Sequence, residues 1–348
     1  MSQNTALWLP RPGAGFRVGP APYSAPGPGE VVVRVRAVAI NPVDAMPGLA
    51  YRVVVPWLRF PAVIGSDVAG EVVEVGAGVT RVGPGDRVLG MAIGLERDRN
   101  RAAEGAFQRY VVLVAPMLCP LPDDLAFEQA AVLPMALSTA ATGLFQADHL
   151  GLALPTVDPR ERGETVLVWG GSTSVGSNAI QLARAAGYRV VATASARNFA
   201  YVRSLGAAAA VDYHDRDAVA QVIAAVGDSP LAGSLAIGAG SLLKTMTIAA
   251  RRPGRRRVAA AQPALVTRIQ LLGRRRHGVQ VSAIWGGTLR GNEVGPAIYA
   301  DYLPAALADK VYQAAPPAVV VGSGLEQIPA AIDRLRHGVS ATKLVVTL

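Results

Sequence analysis

The chain has 348 residues, of which 51% are hydrophobic and 17% are charged, so it is long enough for two domains and its composition excludes a disordered protein. The single cysteine, Cys119, excludes an internal disulfide and a cysteine-rich metal site, and the lack of a membrane-spanning apolar run or a signal-like N-terminus predicts a cytoplasmic protein with no membrane partner. The net charge of +9 suggests nucleic acid as a partner, but the arginine clusters at 251–257 and 274–276 lack aromatic residues for base stacking. A solvated basic face, or an anionic partner that docks there, is the better interpretation.

The N-terminal third of the chain has a β-rich pattern broken by Pro and Gly turns. The stretch 31–40, VVVRVRAVAI, alternates apolar odd-numbered positions with Arg34 and Arg36, which predicts a strand with one buried face. Short strands at close spacing are typical of a partly closed barrel. The other strands of this part are predicted at 68–75, 88–91 and 107–115. A helical pattern begins near Phe127 and is interrupted at Pro134.

The stretch from Gly163 to Ser195 predicts a strand, a glycine turn, a helix and a second strand. These elements are a strand at 166–169, a helix at 175–186 that Gly187 would end, and a strand at 189–194. Ser172, Thr173 and Ser174 are candidate N-caps of the helix. Because a helix N-terminus after a glycine turn attracts a pyrophosphate, the unit predicts dinucleotide binding. The glycine spacing is G-G-x4-G and not G-x-G-x-x-G, so an ordinary tight turn is the alternative.

Strand and helix patterns continue to alternate after residue 196. This alternation predicts an α/β fold with a doubly wound parallel sheet. The predicted helices are 197–205, 217–226 and 325–336, and the predicted strands are 208–212, 231–237, 257–260, 279–284 and 343–347.

The end of the strand at 189–194 indicates which nicotinamide nucleotide the chain prefers. An NAD site usually carries Asp or Glu about 20 residues beyond the first glycines, where it binds the ribose 2′-hydroxyl. Here the strand is followed by Ser195, Arg197 and Asn198, with no carboxylate among them. Ser195 and Asn198 can hydrogen-bond a 2′-phosphate and Arg197 can neutralise it, so the sequence predicts NADPH. The alternative is that Arg197 is a solvated surface charge.

Five segments of the chain share their motifs with a known family. They are AVAINPVD (37–44), PAVIGSDVAGEVVEVG (61–76), GDRV (85–88), VLVWGGSTSVGSNAIQLA (166–183) and HGVSATKLVV (337–346). With them the chain resembles the medium-chain dehydrogenase/reductase superfamily over nearly its whole length. The resemblance implies a GroES-like β-barrel domain from residues 1–126 with 305–348, and an NADPH-binding Rossmann domain from residues 127–304.

The same resemblance bears on metal binding. Zinc alcohol dehydrogenases of the superfamily carry a cysteine where Asn41 stands and a His-Glu pair where Ser66 and Asp67 stand. With neither thiolate nor imidazole at these positions, the soft ligands of a catalytic zinc are missing, and a zinc-independent member is implied. That branch includes quinone reductases and enoyl reductases. GGSTSVG, with the segments 195–198 and 212–213, looks most like the trans-acting enoyl reductases that partner polyketide synthases.

The resemblance also implies roles for individual residues. Asn41 and Thr139 would orient and polarise a substrate carbonyl, and the alternatives are a turn residue and a helix hydroxyl bonded to the backbone. Tyr213 would lie near the adenosine, and a half-buried strand-end tyrosine is the alternative. The other implied cofactor contacts are Gly171, Ser172, Thr173, Ser174, Val175 and Gly176 at the pyrophosphate, Ser195, Arg197 and Asn198 at the 2′-phosphate, and Ala259, Ala260, Val339 and Ser340 on the nicotinamide side.

Together these observations predict NADPH-dependent, metal-free reduction of a C=C bond conjugated to a carbonyl. The substrate would be an enone, an enoyl thioester or a quinone, with an acyl-carrier protein or synthase as a partner. A quinone reductase using the same site is the nearest alternative, and a non-catalytic protein with the same fold is an alternative of another class. No general acid is evident: Tyr51 is a candidate by position, and solvent is the alternative.

Overall fold

The computed structural model describes residues 3–273 and 277–348. It forms two compact units, and each is described by itself. Unit 1 comprises Met1–Met135, Tyr299–Lys310 and Pro317–Leu348, and unit 2 comprises Ala136–Ile298 and Val311–Pro316. The second arginine cluster of the predicted basic face, at 274–276, lies outside the described residues.

Short strands make up the N-terminal part of unit 1, as the sequence predicted. The strands are β1 (Asn4–Leu9), β2 (Arg17–Ala21), β3 (Glu30–Ala39), β4 (Ala62–Val63), β5 (Asp67–Val75), β6 (Arg87–Met91), β7 (Tyr110–Val114) and β8 (Leu118–Pro120), and the helices are α1 (Gly48–Val54) and α2 (Phe127–Ala130). β1 pairs with β2 and β4 in one antiparallel sheet, whereas β3 pairs with β5 and β7 in another.

The predicted alternation along β3 holds only at its centre. Arg34 is exposed and Arg36 is half-buried, and both form ion pairs with Glu71 of β5. Val32 and Val38, at even-numbered positions like the arginines, are buried. The strand is therefore covered on both faces towards its ends, which a simple two-residue period does not predict.

Unit 2 contains the predicted doubly wound parallel sheet. Its strands are β9 (Thr165–Trp169), β10 (Arg189–Ala194), β11 (Ala209–Asp212), β12 (Leu231–Ala236), β13 (Arg257–Ala260) and β14 (Gln280–Ala283), in the spatial order β11-β10-β9-β12-β13-β14. All neighbouring pairs are parallel. The direction of winding reverses between β9 and β12, and ligands of such sheets bind at the strand carboxyl ends beside this reversal.

Helices precede, connect and follow these strands. They are α3 (Pro134–Phe145), α4 (Ser174–Ala185), α5 (Phe199–Ser204), α6 (Ala218–Val226), α7 (Ser241–Arg251), α8 (Ala264–Leu271) and α9 (Val294–Pro296). The helix predicted at 197–205 is shorter than expected, because its start is a 3₁₀ turn, Ala196–Asn198. The sequence analysis missed α7 and α8, although Leu242, Met246 and Ala249 of α7 are buried at helical spacing.

The C-terminal residues complete unit 1. They form α10 (Leu303–Ala308), β15 (Ala318–Ser323), α11 (Ile328–Arg336) and β16 (Lys343–Thr347). β16 runs antiparallel to β3, in a sheet of order β15-β16-β3-β5-β6-β8. Ala39 of β3 pairs with Val345 of β16 and with Asp67 of β5. The pairing brings the starts of β5 and β16 to the end of β3, where the polar cluster described below is located.

Cys119 is fully buried in β8. Burial raises the pKa of the thiol, so the nucleophilic thiolate is disfavoured at this position. Within residues 3–273 and 277–348, no helix combines the length and the apolar character needed to cross a membrane.

Candidate functional site

The first βα turn of unit 2 contains the residues predicted to bind a pyrophosphate. Gly170, directly after β9, has φ of 92°, a left-handed conformation that favours glycine. Thr173 is the N-cap of α4, and its Oγ1 accepts the N–H of Gly176 at 3.0 Å. The N–H groups of Ser174 and Val175 belong to the first helical turn and have no acceptor within the helix. This open turn is an arrangement that binds anionic groups.

Packing of α4 on the turn requires the glycine at position 176. A Cβ at Gly176 would lie 2.2 Å from the carbonyl oxygen of Gly170 and 2.7 Å from the Cα of Gly171. No side chain fits at such distances, so packing within the chain explains the glycine at position 176 without reference to a ligand. Ser172 is half-buried and Thr173 is exposed, and both therefore remain accessible to a ligand.

The residues predicted to select the cofactor lie together at the carboxyl ends of β10 and β11. The hydroxyl of Ser195 donates to that of Tyr213 at 3.3 Å. Arg197 is exposed and Asn198 is 8% exposed, and both lie in the 3₁₀ turn that follows Ser195. The structure thus brings Ser195 and Tyr213 into contact and places Arg197 on the surface of the same loop.

Asp212 is a carboxylate of this region, which the sequence analysis quoted in the segment 212–213 without expecting its contact with the loop after β10. Its Oδ2 accepts the N–H of Ala196 at 3.1 Å, and its Oδ1 accepts the N–H of His214 at 3.0 Å and lies 2.8 Å from the His214 Nδ1. The backbone N–H of His214 is the main cause that lowers the pKa of Asp212. The strand register could have located it, because β11 pairs with β10 so that Asp212 lies beside Ala194.

The residues predicted on the nicotinamide side are divided between the two units. Ala259 and Ala260 are fully buried in β13 of unit 2. Val339 and Ser340 are exposed and follow α11 in unit 1. Thr139, on α3 of unit 2, is half-buried. A Cβ added to Gly286 would lie 3.0 Å from the Thr139 hydroxyl oxygen.

Unit 1 contains a buried cluster of an amide, a carboxylate and an ammonium group at the end of β3. Asn41, Asp67 and Lys343 are 3%, 0% and 3% exposed. The Nδ2 of Asn41 donates to Asp67 Oδ2 at 2.8 Å, and the Nζ of Lys343 donates to Asn41 Oδ1. The same Nζ lies 3.0 Å from Asp67 Oδ2. Asp67 Oδ1 also accepts the N–H of Met135, at the start of α3, at 2.6 Å.

These partners allow the Asn41 amide one orientation. An ammonium group only donates and an ionised carboxylate only accepts, so the amide oxygen must face Lys343 and the nitrogen must face Asp67. Nδ2 carries two hydrogens, and the bond to Asp67 uses one of them. The sequence analysis identified Asn41 but missed Lys343, although it quoted the closing segment 337–346 that contains it.

Asp44 and Tyr51 adjoin this cluster. Asp44 Oδ2 accepts the backbone N–H of Asn41 at 2.8 Å. Burial, with the Asp67 carboxylate, raises the pKa of Asp44 to about 7, despite opposing contributions from the N–H of Asn41 and from Lys343. The Tyr51 hydroxyl donates to the carbonyl oxygens of Val43 and Asp44 at 3.1 and 3.2 Å, and burial raises its pKa. Tyr51 is therefore a poorer acid than an ordinary tyrosine.

Comparisons with known proteins place this chain in a family. A family model described as the alcohol dehydrogenase GroES-like domain matches residues 27–123, and one described as zinc-binding dehydrogenase matches residues 174–298. Dehydrogenase orf1 of Aspergillus niger is 45% identical over 356 aligned residues that cover 100% of both chains. The chain belongs to the medium-chain dehydrogenase/reductase superfamily.

Two further matches cover almost the whole chain. The trans-enoyl reductase tndF of Aspergillus flavipes is 35% identical over 99% of both chains. The crystal structure of the CurK enoyl reductase covers 99% of both chains with a TM-score of 0.76 at 20% identity, and it shows the shared fold. The chain is accordingly an oxidoreductase of a superfamily whose members bind nicotinamide nucleotides.

The residues at the superfamily's zinc positions do not fit a zinc ion. Asn41 offers an amide oxygen and Ser66 a hydroxyl, whereas zinc in proteins is held mainly by thiolates and imidazoles. The carboxylate of Asp67 and the amide oxygen of Asn41 already accept the Lys343 ammonium. Across residues 3–273 and 277–348, no group of three or more His, Cys, Asp or Glu residues could hold a metal ion.

Proposed function

We propose that this superfamily member is an NADPH-dependent, metal-free reductase of C=C bonds conjugated to a carbonyl. The observation that carries the proposal is the fixed orientation of the Asn41 amide, held between Lys343 and Asp67. The 35% identity with the trans-enoyl reductase tndF over 99% of both chains supports it. Asn41 also stands where, by the resemblance, zinc enzymes of the superfamily carry a ligand.

The preference for NADPH rests on the loop after β10. Ser195 and Tyr213 are in contact there, and Arg197 is exposed on the same loop. Hydroxyl and guanidinium groups bind a phosphate, whereas a free carboxylate would repel it. Asp212, a carboxylate beside this loop, is not free, because it accepts hydrogen bonds from Ala196 and His214. The pyrophosphate is assigned to the first turn of α4.

In the proposed reaction the chain binds and polarises the substrate carbonyl. When bound, a reduced nicotinamide would supply a hydride for the β-carbon of the C=C bond. The N–H of Asn41 not used by Asp67 donates to the carbonyl oxygen and stabilises the enolate that forms there. We assign the Thr139 hydroxyl a second donor role. The α-carbon takes its proton from solvent, because the Tyr51 hydroxyl is bonded to backbone carbonyls and its pKa is raised.

The substrate class within this proposal is an enone or an enoyl thioester. The name of tndF, a trans-enoyl reductase, supports an enoyl substrate. By the resemblance stated above, an enoyl thioester would be presented by an acyl-carrier protein or synthase. A quinone reductase using the same donors is the second candidate. It is favoured by the Tyr51 hydroxyl being bonded to backbone carbonyls, since a quinone receives its protons on oxygen directly from water and does not need that hydroxyl as an acid. The remaining candidate is a cofactor-binding protein without catalysis.

A substrate panel distinguishes these candidates. The full chain is incubated with NADPH and, in turn, a simple enone, a crotonyl thioester and a benzoquinone, before and after dialysis against a chelator. Saturated carbonyl products and unchanged rates after chelation support the proposal. Reduction of the quinone alone supports the second candidate, and NADPH binding without turnover supports the third.

Two threonines of α3 give a matched test of the second donor. Thr139→Val removes the hydroxyl and keeps the side-chain shape, and it should lower kcat for the enone. Thr142→Val makes the same change on the same helix, at a fully buried hydroxyl with no hydrogen-bond partner in the described part of the chain. The control should retain the wild-type kcat. Equal rates for the two variants would remove Thr139 from the mechanism.

A further inference from the structure

Lysines are rare in this chain, and their contacts differ. Of 34 basic residues only Lys244, Lys310 and Lys343 are lysines. Lys343 is buried in the cluster with Asn41, and Lys310 pairs with Asp124 at the surface, 2.8 Å away. Lys244, in the first turn of α7, contacts an aromatic ring and a backbone carbonyl instead.

The contacts of Lys244 place its ammonium group at the ligand-binding edge of the sheet in unit 2. The Nζ lies 5.2 Å from the centre of the Trp169 ring and 3.4 Å from the carbonyl oxygen of Tyr213. Trp169 is the last residue of β9, and Tyr213 directly follows β11. A cation over an indole ring is attracted by its π electrons, so this contact holds the ammonium without cancelling its charge.

Tyr213 connects Lys244 to the loop that follows β10. Its carbonyl oxygen accepts from Lys244, and its hydroxyl contacts the hydroxyl of Ser195. Its ring also packs on the imidazole of His214, with the ring centres 4.0 Å apart. One continuous stretch of the carboxyl edge of the sheet is therefore lined by Lys244, Tyr213 and Ser195. The ammonium of Lys244 is exposed, and its flexible four-carbon stem lets it turn towards a ligand bound at this edge.

The charges around this edge show why a second cation is needed. A ribose 2′-phosphate carries between one and two negative charges near neutral pH. Arg197 contributes one positive charge on the loop, and Asp212, whose pKa is lowered, contributes one negative charge beside it. These two groups together give no surplus of positive charge. Lys244 supplies the surplus that favours a phosphorylated ribose over a ribose with a free 2′-hydroxyl.

We propose that Lys244 is a cofactor-selecting residue whose ammonium group, held against Trp169 and Tyr213, binds the 2′-phosphate of NADPH. The inference rests on the proposed function in taking NADPH as the cofactor. It adds a residue from α7, which lies far in sequence from the loop at 195–198, and it makes a prediction about binding that needs no substrate.

The test compares nucleotide affinities of the full chain and its variants by calorimetric titration. Lys244→Gln should weaken NADPH binding by about tenfold, the loss expected for one charge-assisted hydrogen bond, and should leave NADH binding unchanged. Lys244→Arg should retain most of the NADPH affinity. Lys310→Gln is the matched control, because it removes the same charge from the other exposed lysine and should alter neither nucleotide.

Nucleotide fragments confine the test to the adenosine end. Adenosine 2′,5′-bisphosphate should lose the same factor as NADPH in Lys244→Gln, and adenosine 5′-monophosphate should lose nothing. Equal weakening of both fragments, or no weakening of the bisphosphate, would overturn the inference even if the wild-type chain prefers NADPH. A wild-type preference for NADH would instead overturn the proposed cofactor, and the role of Lys244 with it.

Discussion

Replacing Lys343 by methionine tests whether the buried cluster of unit 1 depends on its charge. Lys343→Met keeps an unbranched side chain and removes the ammonium group. Asp67, which is fully buried, then keeps N–H donors from Asn41 and Met135 but loses its counter-ion. Removing one partner of a buried ion pair costs about 3–5 kcal/mol, and the two remaining donors favour the lower end, about 3 kcal/mol. At ~2–4 °C per kcal/mol for a unit of this size, Tm should fall by about 6–12 °C.

A double variant separates the charge from the packing. Lys343→Met with Asp67→Asn removes both buried charges and should recover most of the lost stability, because neither remaining side chain has a charge to desolvate. Lys310→Met is the control for losing a lysine, since its pair with Asp124 is exposed on both sides and screened by solvent, so its Tm should stay close to that of the wild type.

The double variant also separates stability from orientation. With the donor-only and acceptor-only partners both gone, the Asn41 amide is free to take either orientation. The double variant should therefore fold and bind NADPH like the wild type but reduce an enone more slowly.

Thermal unfolding followed by far-ultraviolet circular dichroism gives the Tm values, and steady-state kinetics give kcat. A Tm for Lys343→Met equal to that of Lys310→Met would refute the assigned ion pair. A double variant as unstable as the sum of its two single variants would refute the charge coupling, and a double variant with wild-type kcat would refute the role given to the amide orientation.

Three further changes test other parts of the account. The Tm of Asp44→Asn minus that of the wild type should increase as pH rises. Burial raises the Asp44 pKa in the folded chain from 3.8 to about 7, so the stabilising proton is fully retained below pH 3.8 and is lost as pH rises through about 7. Asparagine has no such proton to lose. Melting curves at about pH 5 and about pH 8 check this, and an unchanged difference contradicts it. Gly176→Ala would place a Cβ 2.2 Å from the Gly170 carbonyl oxygen and should abolish NADPH binding in titrations, whereas Gly83→Ala, with nothing within 4 Å, should bind normally. Thr173→Ala removes the N-cap of α4 and should cost about 1 kcal/mol in urea unfolding, and a variant as stable as wild type would remove the cap from the account.

The parts of the fold that could be predicted depend on local sequence patterns. The doubly wound sheet follows from strands and helices that alternate over short distances, and the cap and glycines of α4 lie within a few residues of one another. Such features depend only on the conformational preferences and the hydrophobic spacing of residues close together in sequence. The predicted bounds of the strands at 189–194, 257–260 and 343–347 match the structure for the same reason.

The residues that were missed depend on contacts between distant segments. Lys343 reaches Asn41 across 302 positions of sequence, because β16 pairs with the end of β3. Asp212 reaches the loop at 195–198 through the register of two parallel strands. Likewise, residues 311–316 return to unit 2, where the Tyr312 hydroxyl donates to Asn178 Oδ1 of α4. No local period signals any of these contacts.

The proposed function requires that hydride passes from NADPH to the β-carbon of a conjugated carbonyl compound. The most direct test uses NADPH deuterated at the transferable position of the nicotinamide, with an enone or a crotonyl thioester, and locates the deuterium in the product by mass spectrometry and NMR. We expect a saturated product labelled at the β-carbon. An unlabelled product, label at the carbonyl carbon of an alcohol, or faster turnover with NADH would contradict it.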